Sequence, residues 1–425
     1  MRNTIVTLVM LIAAAAMAQT TFNDPILGQR PGAFSARSMG LGHTFLTDQN
    51  GPAALMGNPA TMAEQQTQWL VDMSADVSRI TETRKYPVYD SFDGVIIYNN
   101  YAMNDHLYSK LDGGVSFKIP LQSVRSLVAS MGTYSTYRFD YRYHEEVRSR
   151  FSSGGIQDLR LGHNRIDVTG DLRSASFGAA VRSFGPLSAG FSVNILSGKW
   201  DYERGVYYAN SDSANYMDHI VYRPDNLFAE LNLGAMWELN PRITLGARAL
   251  LPTGDYKIDQ RVELDEYFAN VDSLPIASGT ITTTYPSHYA LGVRYRPQNE
   301  FRPILLLEGE LHTYHDVDPD FDNTFEIRAG AEQQVVAGTP VRVGFVFASA
   351  PDNKDRTTAI FTAGIGFSLQ KLSGDFGVEI GKVAYVENDL FPQRLYTGSA
   401  ADDRSDSDRV ETSTFRGLIT LRYAL

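Results

Sequence analysis

The residues of this sequence best spaced to do chemistry are carboxylates. Asp316, Asp318, Asp320 and Asp322, followed by Asn323, alternate in one short stretch. Carboxylates at i, i+2 and i+4 suit an oxygen-seeking ion such as Ca2+, which makes Asp316, Asp318 and Asp320 the candidate metal ligands. The glycine and distal Glu of a helix-loop-helix calcium site are missing and Pro319 interrupts the run, so the plainer reading is a solvated acidic loop. Asp402, Asp403, Asp406, Asp408 and Glu411 read the same way. The eight histidines (43, 106, 144, 163, 219, 288, 312 and 315) are dispersed, and cysteine is absent. No Gly-x-Ser-x-Gly elbow, phosphate-cradling loop or zinc signature occurs. These residues point to a non-enzyme without a cofactor. A formal charge of −11 is a poor match for nucleic acid.

The elements that would position these groups read in period two. Ala229, Leu231, Leu233, Ala235, Trp237 and Leu239 alternate with polar or small residues. So do Tyr289, Leu291, Val293 and Tyr295, and Val341, Val343, Phe345 and Phe347. Successive side chains of a strand point to opposite faces, so each segment has one apolar face. About fourteen such segments are expected, at 66–80, 110–119, 125–146, 168–184, 187–204, 226–239, 241–265, 276–296, 301–314, 322–337, 340–350, 356–370, 372–388 and 413–425. Links after even-numbered segments are tight and links after odd-numbered ones mostly long, as in an outer-membrane barrel. The expected fold is all-β: a transmembrane antiparallel up-and-down β-barrel of about 14 strands. A charge on a barrel's lipid face costs roughly 2–4 kcal/mol at the midplane. Glu230, Glu238, Arg248, Arg294, Glu308, Glu310, Glu326, Arg328, Glu332, Arg342 and Glu379 must therefore face the lumen. A secreted sandwich would instead bury its apolar faces against one another.

Residues 1–18, with Arg2, an apolar run from Ile5 to Ala16 and Ala16-Met17-Ala18, read as a secretory signal peptide. Residues 19–64, rich in glycine, proline and apolar side chains, read as a coil folded into the lumen as a plug. A periplasmic arm is the alternative. Residues 65–425 are the barrel. Link 81–109 is unusually apolar for a loop, and Tyr86, Tyr89, Phe92, Ile96, Ile97 and Tyr98 are its candidate ligand-capture residues. It could equally hide a short hairpin. The chain ends on Phe415, Gly417, Ile419, Leu421, Tyr423 and Leu425, with Leu425 where such barrels usually place an aromatic residue.

The stretch Gly32-Ala-Phe-Ser-Ala-Arg-Ser-Met-Gly-Leu-Gly42, followed by Gly57-Asn-Pro-Ala-Thr-Met-Ala63, resembles the start of the long-chain fatty acid transporter family of outer-membrane barrels. That family includes aromatic-hydrocarbon transporters and related secretion-associated barrels of Bacteroidetes. His43 stands where the family pattern has Gly, Met56-Gly57 where it has an aromatic, and Thr61 where it commonly has Gly. The resemblance implies a fourteen-strand barrel with an N-terminal hatch, to which Arg37, Ser38, Met39, Gly40, Gly42, Asn58, Pro59 and Ala60 belong. It implies passive uptake of hydrophobic small molecules, long-chain fatty acids or similar, caught by external loops and released by hatch movement or through a lateral opening. The partners implied are that ligand, outer-membrane lipids and lipopolysaccharide, and the barrel-insertion machinery, at the outer membrane of a Gram-negative-type bacterium. The alternative function is a structural or secretion-associated barrel that binds protein partners and transports no small molecule.

Overall fold

Eighteen strands form one antiparallel sheet that closes on itself. The structure is a computed structural model and describes residues 25–49, 51–148, 159–210, 213–271, 275–298, 303–336, 339–352 and 356–425. The expected signal peptide lies outside these residues. The wall begins with β1 (Trp69–Tyr89), β2 (Val95–Ile119), β3 (Ser126–Arg138), β4 (Tyr141–Arg148), β5 (Arg160–Arg182) and β6 (Leu187–Tyr208). It continues with β7 (Tyr216–Pro224), β8 (Phe228–Asn240), β9 (Ile243–Pro252), β10 (Tyr256–Asp265), β11 (Gly279–Thr283) and β12 (His288–Tyr295). The last strands are β13 (Ile304–His312), β14 (Thr324–Val336), β15 (Thr339–Ser349), β16 (Thr357–Leu369), β17 (Leu372–Glu387) and β18 (Asp408–Ala424). Closure comes from β1, which pairs with both β2 and β18, from Leu70↔Ala424 to Lys85↔Arg409.

The eighteen strands fill fourteen wall positions, because four positions are split in two. β3 and β4 pair with the lower and upper parts of β5. β7 and β8 likewise share β6, and the pairs β9/β10 and β11/β12 stack in the next two positions. The fourteen expected segments therefore match the fourteen positions. What differs is β7, which lies in the expected link 205–225, and the first hairpin. Residues 81–109, expected as a long link, are mostly β1 and β2, joined at 90–94. The period-two signal fades there because both faces of these upper strands carry polar side chains such as Thr81, Glu82, Thr83 and Arg84, which an extension beyond the hydrocarbon permits.

The faces sort as the cost of charge requires. Glu230, Arg248, Arg294, Glu308, Glu310, Arg328, Glu332, Arg342 and Glu379 are buried inside, and Glu238 and Glu326 are half-buried. Their apolar neighbours, Leu233, Trp237, Leu291, Phe325, Ile327, Phe415 and Ile419, are exposed outside; Leu291 is 71 % exposed. A closed wall with an apolar outer belt and a charged interior is stable with acyl chains around it and pairs every strand edge, which is what spanning a bilayer with strands demands. The two ends of the barrel chain are zipped by Trp69 N to Leu425 O at 3.3 Å and Leu425 N to Trp69 O at 3.1 Å.

Candidate functional site

Residues 25–49 and 51–65 lie inside the wall, against lumen-facing residues of many strands. Ser35 Oγ caps a one-turn helix, α1 (Ala36–Gly40), by accepting from Ser38 N at 3.3 Å. Pro52–Leu55 and Pro59–Glu64 form 3-10 turns. Asn58 Oδ1 caps the second by accepting from Ala60 N at 3.1 Å. Its Nδ2 donates to Leu46 O at 2.6 Å and to Ala235 O of β8 at 3.1 Å. Pro59 at the first helical position lacks a donor that would otherwise go unpaired. Arg37 pairs with Asp48 and, at 2.7 Å, with Glu332 of β14. Met39 is wholly buried, packed with Ala33, Ala36 and Leu418.

The wall makes room for this coil with glycine. Five glycine pairs face each other directly across the ladder: Gly114↔Gly132, Gly190↔Gly234, Gly246↔Gly292, Gly330↔Gly344 and Gly364↔Gly377. A Cβ at Gly344 would stand 2.0 Å from Gly42 N, one at Gly330 2.4 Å from Leu41 O, and one at Gly190 2.6 Å from the Pro59 carbonyl carbon. Gly42 itself has φ +66 and is walled by Ala329 O, so only glycine meets both demands. Next to it His43 adopts φ 60, a conformation that costs a non-glycine residue roughly 1–2 kcal/mol. In exchange its Nε2 reaches Glu379 of β17 at 2.6 Å, both side chains buried.

Buried charges and polar groups complete the seat. Glu308 Oε1 accepts from Phe45 N at 3.0 Å and Leu46 N at 2.8 Å. Asn232 donates to Leu55 O and Gly57 O, each at 2.9 Å. Arg416 donates to Ala33 O at 2.9 Å while holding Asp76 at 2.5 Å. Arg294 binds Thr47 O and, at 3.3 Å, Glu64. Removing one member of a buried pair strands the other, at a cost of roughly 3–5 kcal/mol. Of the residues expected for a hatch, Arg37 to Gly42 sit against β14 to β17, and Asn58, Pro59 and Ala60 against β6 and β8.

Above the coil, a cavity of about 470 Å³ is floored by Pro25 and residues 28–31 and walled by Ile80, Phe139, Tyr141, Ile166, Val168 and Tyr202. Beside it the lumen is filled by an aromatic cluster in which Phe139 and Trp200 stack at 4.0 Å and Trp200 Nε1 donates to Pro25 O at 2.7 Å. Arg204 of β6 lines the cavity. Its guanidinium lies 4.3 Å from the Tyr267 ring and 4.9 Å from the Phe391 ring and donates to Leu390 O at 2.5 Å. No carboxylate lies within ion-pair distance of it among the described residues, unlike the cavity's Arg84, Arg138, Arg142, Arg356 and Arg416.

One side of this cavity is not closed by a ladder. β2 pairs with β3 only from Ile119↔Leu127 to Gly113↔Thr133. Above that, β4 pairs with β5 alone, and β2 meets β3 and β4 through side chains. Ser135 N donates to Asp112 Oδ1 at 2.8 Å, His144 N to Asn104 Oδ1 at 2.7 Å, and Lys110 Nζ lies 3.3 Å from Asp140. Both edges of this seam, Asn104, His106 and Tyr108 on one side and residues 138–142 on the other, line the cavity. Just below, a shallow hollow of about 560 Å³ on the outer face is lined by Val71, Met73, Leu111, Val115, Met131 and Phe177.

The capture candidates separate in space. Arg404, in the link 388–407, lies over the rings of Tyr86 at 5.3 Å and Tyr101 at 4.5 Å and pairs with Asp389 at 2.5 Å and Asp408 at 3.0 Å. Burial disfavours the Arg404 charge, but Asp389, the Tyr101 hydroxyl and Asp408 outweigh it and hold its pKa above the ordinary value. Tyr89 donates to Asp406 at 3.3 Å and Tyr98 lies under Arg409 at 5.5 Å. Phe92, Ile96 and Ile97 stand exposed at the hairpin tip, Phe92 by 89 %. Asp316, Asp318 and Asp320 lie at an exposed turn, where Asp318 Oδ1 accepts from Asp320 N at 2.9 Å. Their carboxylates do not gather; among the described residues the one group of three close metal-ligating side chains is His288, Glu310 and His312. Sequence reasoning missed Arg204, the seam and this histidine group. Residues 125–146 read as one strand and hide the break at Phe139–Asp140, and the three ligating residues lie on two strands.

No family model matches the chain, and no curated protein matches it either. Solved structures do. A Pseudomonas aeruginosa FadL homologue is 13 % identical with a TM-score of 0.62, over 93 % of this chain and 99 % of that one. The Pseudomonas putida toluene transporter TodX is 14 % identical with a TM-score of 0.60, over 93 % and 99 %. The Ralstonia pickettii toluene transporter TbuX is 14 % identical with a TM-score of 0.56, over the same shares. At this identity the likeness is one of fold, and it spans nearly the whole of both chains: this protein has the fold of the FadL homologue and of the two toluene transporters.

Proposed function

We propose that the chain, exported with loss of residues 1–18, is a passive channel of the bacterial outer membrane for hydrophobic and amphipathic small molecules, long-chain carboxylic acids foremost. The observation that carries this reading is the 470 Å³ cavity, where apolar side chains such as Ile80, Phe139, Ile166 and Val168 stand among arginines that pair with carboxylates, Arg204 alone having none within ion-pair distance among the described residues, and which borders a seam that no ladder closes. Small-molecule sites combine an apolar wall with placed polar groups that fix orientation. Arg204 would take the carboxylate, and the aromatic wall the start of the acyl chain. The neighbours point the same way, since two are toluene transporters. Residues 25–65 would act as a plug that stays seated, because its backbone touches wall glycines on many sides. Release would then run sideways, between β2 and β3/β4, into the outer hollow and the surrounding lipid. The exposed tip at Phe92, Ile96 and Ile97 would catch ligand or rest among lipopolysaccharide.

The same tip, together with the tightly held coil, favours a second reading, a barrel that docks protein partners and carries nothing small. One experiment separates the two. Protein purified in mild detergent is extracted and its lipids identified by mass spectrometry. Stoichiometric acyl carboxylates, lost in Arg204→Gln, support the channel. A ligand-free barrel that co-purifies with a defined protein partner overturns it.

A further inference from the structure

A separate group of side chains takes no part in the path described above. His288 and His312 face each other across the β12–β13 ladder, and Glu310 lies two residues before His312 on the same lumen face. The imidazole rings stack with centroids 4.3 Å apart. Glu310 Oε1 stands 3.1 Å from His288 Nδ1 and 3.7 Å from His312 Nε2, and one ligand atom from each residue lies within 4.8 Å of the others. We propose that His288, Glu310 and His312 bind a single divalent transition-metal ion of the Zn2+ class. Two imidazoles and a carboxylate are a common donor set for such an ion, which leaves a fourth position for water or another side chain.

Three further observations support this assignment. The Nε2 atoms of both histidines are buried without a hydrogen bond, and that of His312 has carboxylate oxygens of Glu310 and Glu326 at 3.7 and 3.9 Å, beyond hydrogen-bond reach. The group borders a cavity of about 150 Å³ also lined by Phe45 and Glu326, room enough for an ion with its water. Glu326 Oε2 lies 3.9 Å from His312 Nε2 and offers a further oxygen. The carboxylates are also oriented from behind. Arg328 holds Glu310 Oε2 at 2.6 Å and Glu326 at 2.8 Å. Arg248 lies 3.3 Å from Glu310 Oε1. Glu310 and Glu326 offset these two guanidiniums and leave no surplus negative charge, so binding of the ion rests on coordination by the two imidazoles and the Glu310 oxygen. Groups behind a metal ligand commonly fix its orientation in this way.

The test uses the full-length barrel in detergent, freed of metal by chelation. It is titrated with Co2+, whose visible absorption reports low-symmetry nitrogen and oxygen coordination, and then with Zn2+ by calorimetry. One site per chain is expected, with Co2+ bands that Zn2+ abolishes. In the His288→Gln/His312→Gln variant affinity should fall by more than about tenfold, since even loss of a group behind the ligands costs that much. Glu310→Gln serves should the double variant not assemble as a heat-modifiable barrel. Absence of Co2+ bands in the unaltered protein overturns the proposal. So does undiminished one-to-one binding in either assembled variant, which would place the ion on other histidines.

Discussion

In the proposed function, ligand choice would turn on Arg204. Its guanidinium lies beside the Tyr267 and Phe391 rings, donates to Leu390 O and to the Tyr267 hydroxyl, and has no carboxylate within ion-pair distance among the described residues. A hydrogen bond to a charged group is worth roughly 1.5–3 kcal/mol, so Arg204→Gln should weaken binding of a long-chain carboxylate by about ten- to a hundredfold. Binding of the corresponding methyl ester should hardly change, and equilibrium binding with fluorescent analogues of both ligands checks it. An equal loss for both would mean that Arg204 only supports the wall. Nothing in the sequence marks this arginine, because its isolation comes from the pairing of its neighbours in space. His43 was more legible. It occupies a position where a glycine is expected, and the structure shows the left-handed backbone that a glycine would favour, with Glu379 as what the imidazole gains.

At the scale of elements, alternation located all fourteen wall positions, because a one-residue slip would turn every charge toward lipid. It could not see the breaks at 125–146, 241–265 and 276–296, where each half keeps the same alternation, and it left β7 inside the expected link 205–225. The cross-strand glycine pairs are likewise visible only once strands are in register. They yield a direct prediction. In Gly344→Val the new side chain meets Gly42 N and the Leu41 carbonyl carbon at 2.0 and 2.4 Å from its Cβ, so the barrel should assemble with residues 25–65 unseated. Limited proteolysis of the folded barrel should then cut within that segment. Gly417→Val, where nothing lies within 4 Å, should remain resistant. Equal resistance in both would show that the seat tolerates what the geometry forbids.

The whole molecule is a charged interior wrapped in an apolar belt, and the belt should carry its thermodynamic signature. Leu291, near the middle of β12 and 71 % exposed, touches lipid in this account. Leu291→Arg should destabilise the barrel in bilayers by roughly 2–4 kcal/mol, measured by urea unfolding in liposomes; a negligible change would mean that this face meets water or protein. In the proposed function, ligand leaves through the seam while the inner coil stays in place. The sequence contains no cysteine, so pairs can be introduced cleanly. Lys110→Cys with Asp140→Cys, bridged by a reducible bifunctional reagent, ties β2 to the break between β3 and β4; Arg37→Cys with Glu332→Cys ties the coil to the wall. The decisive measurement is ligand uptake by cells carrying each bridged protein. Uptake that falls to background with the seam bridged, returns on reduction and is untouched by the coil bridge is the predicted result. Uptake that continues with the seam bridged and stops with the coil bridged would contradict it.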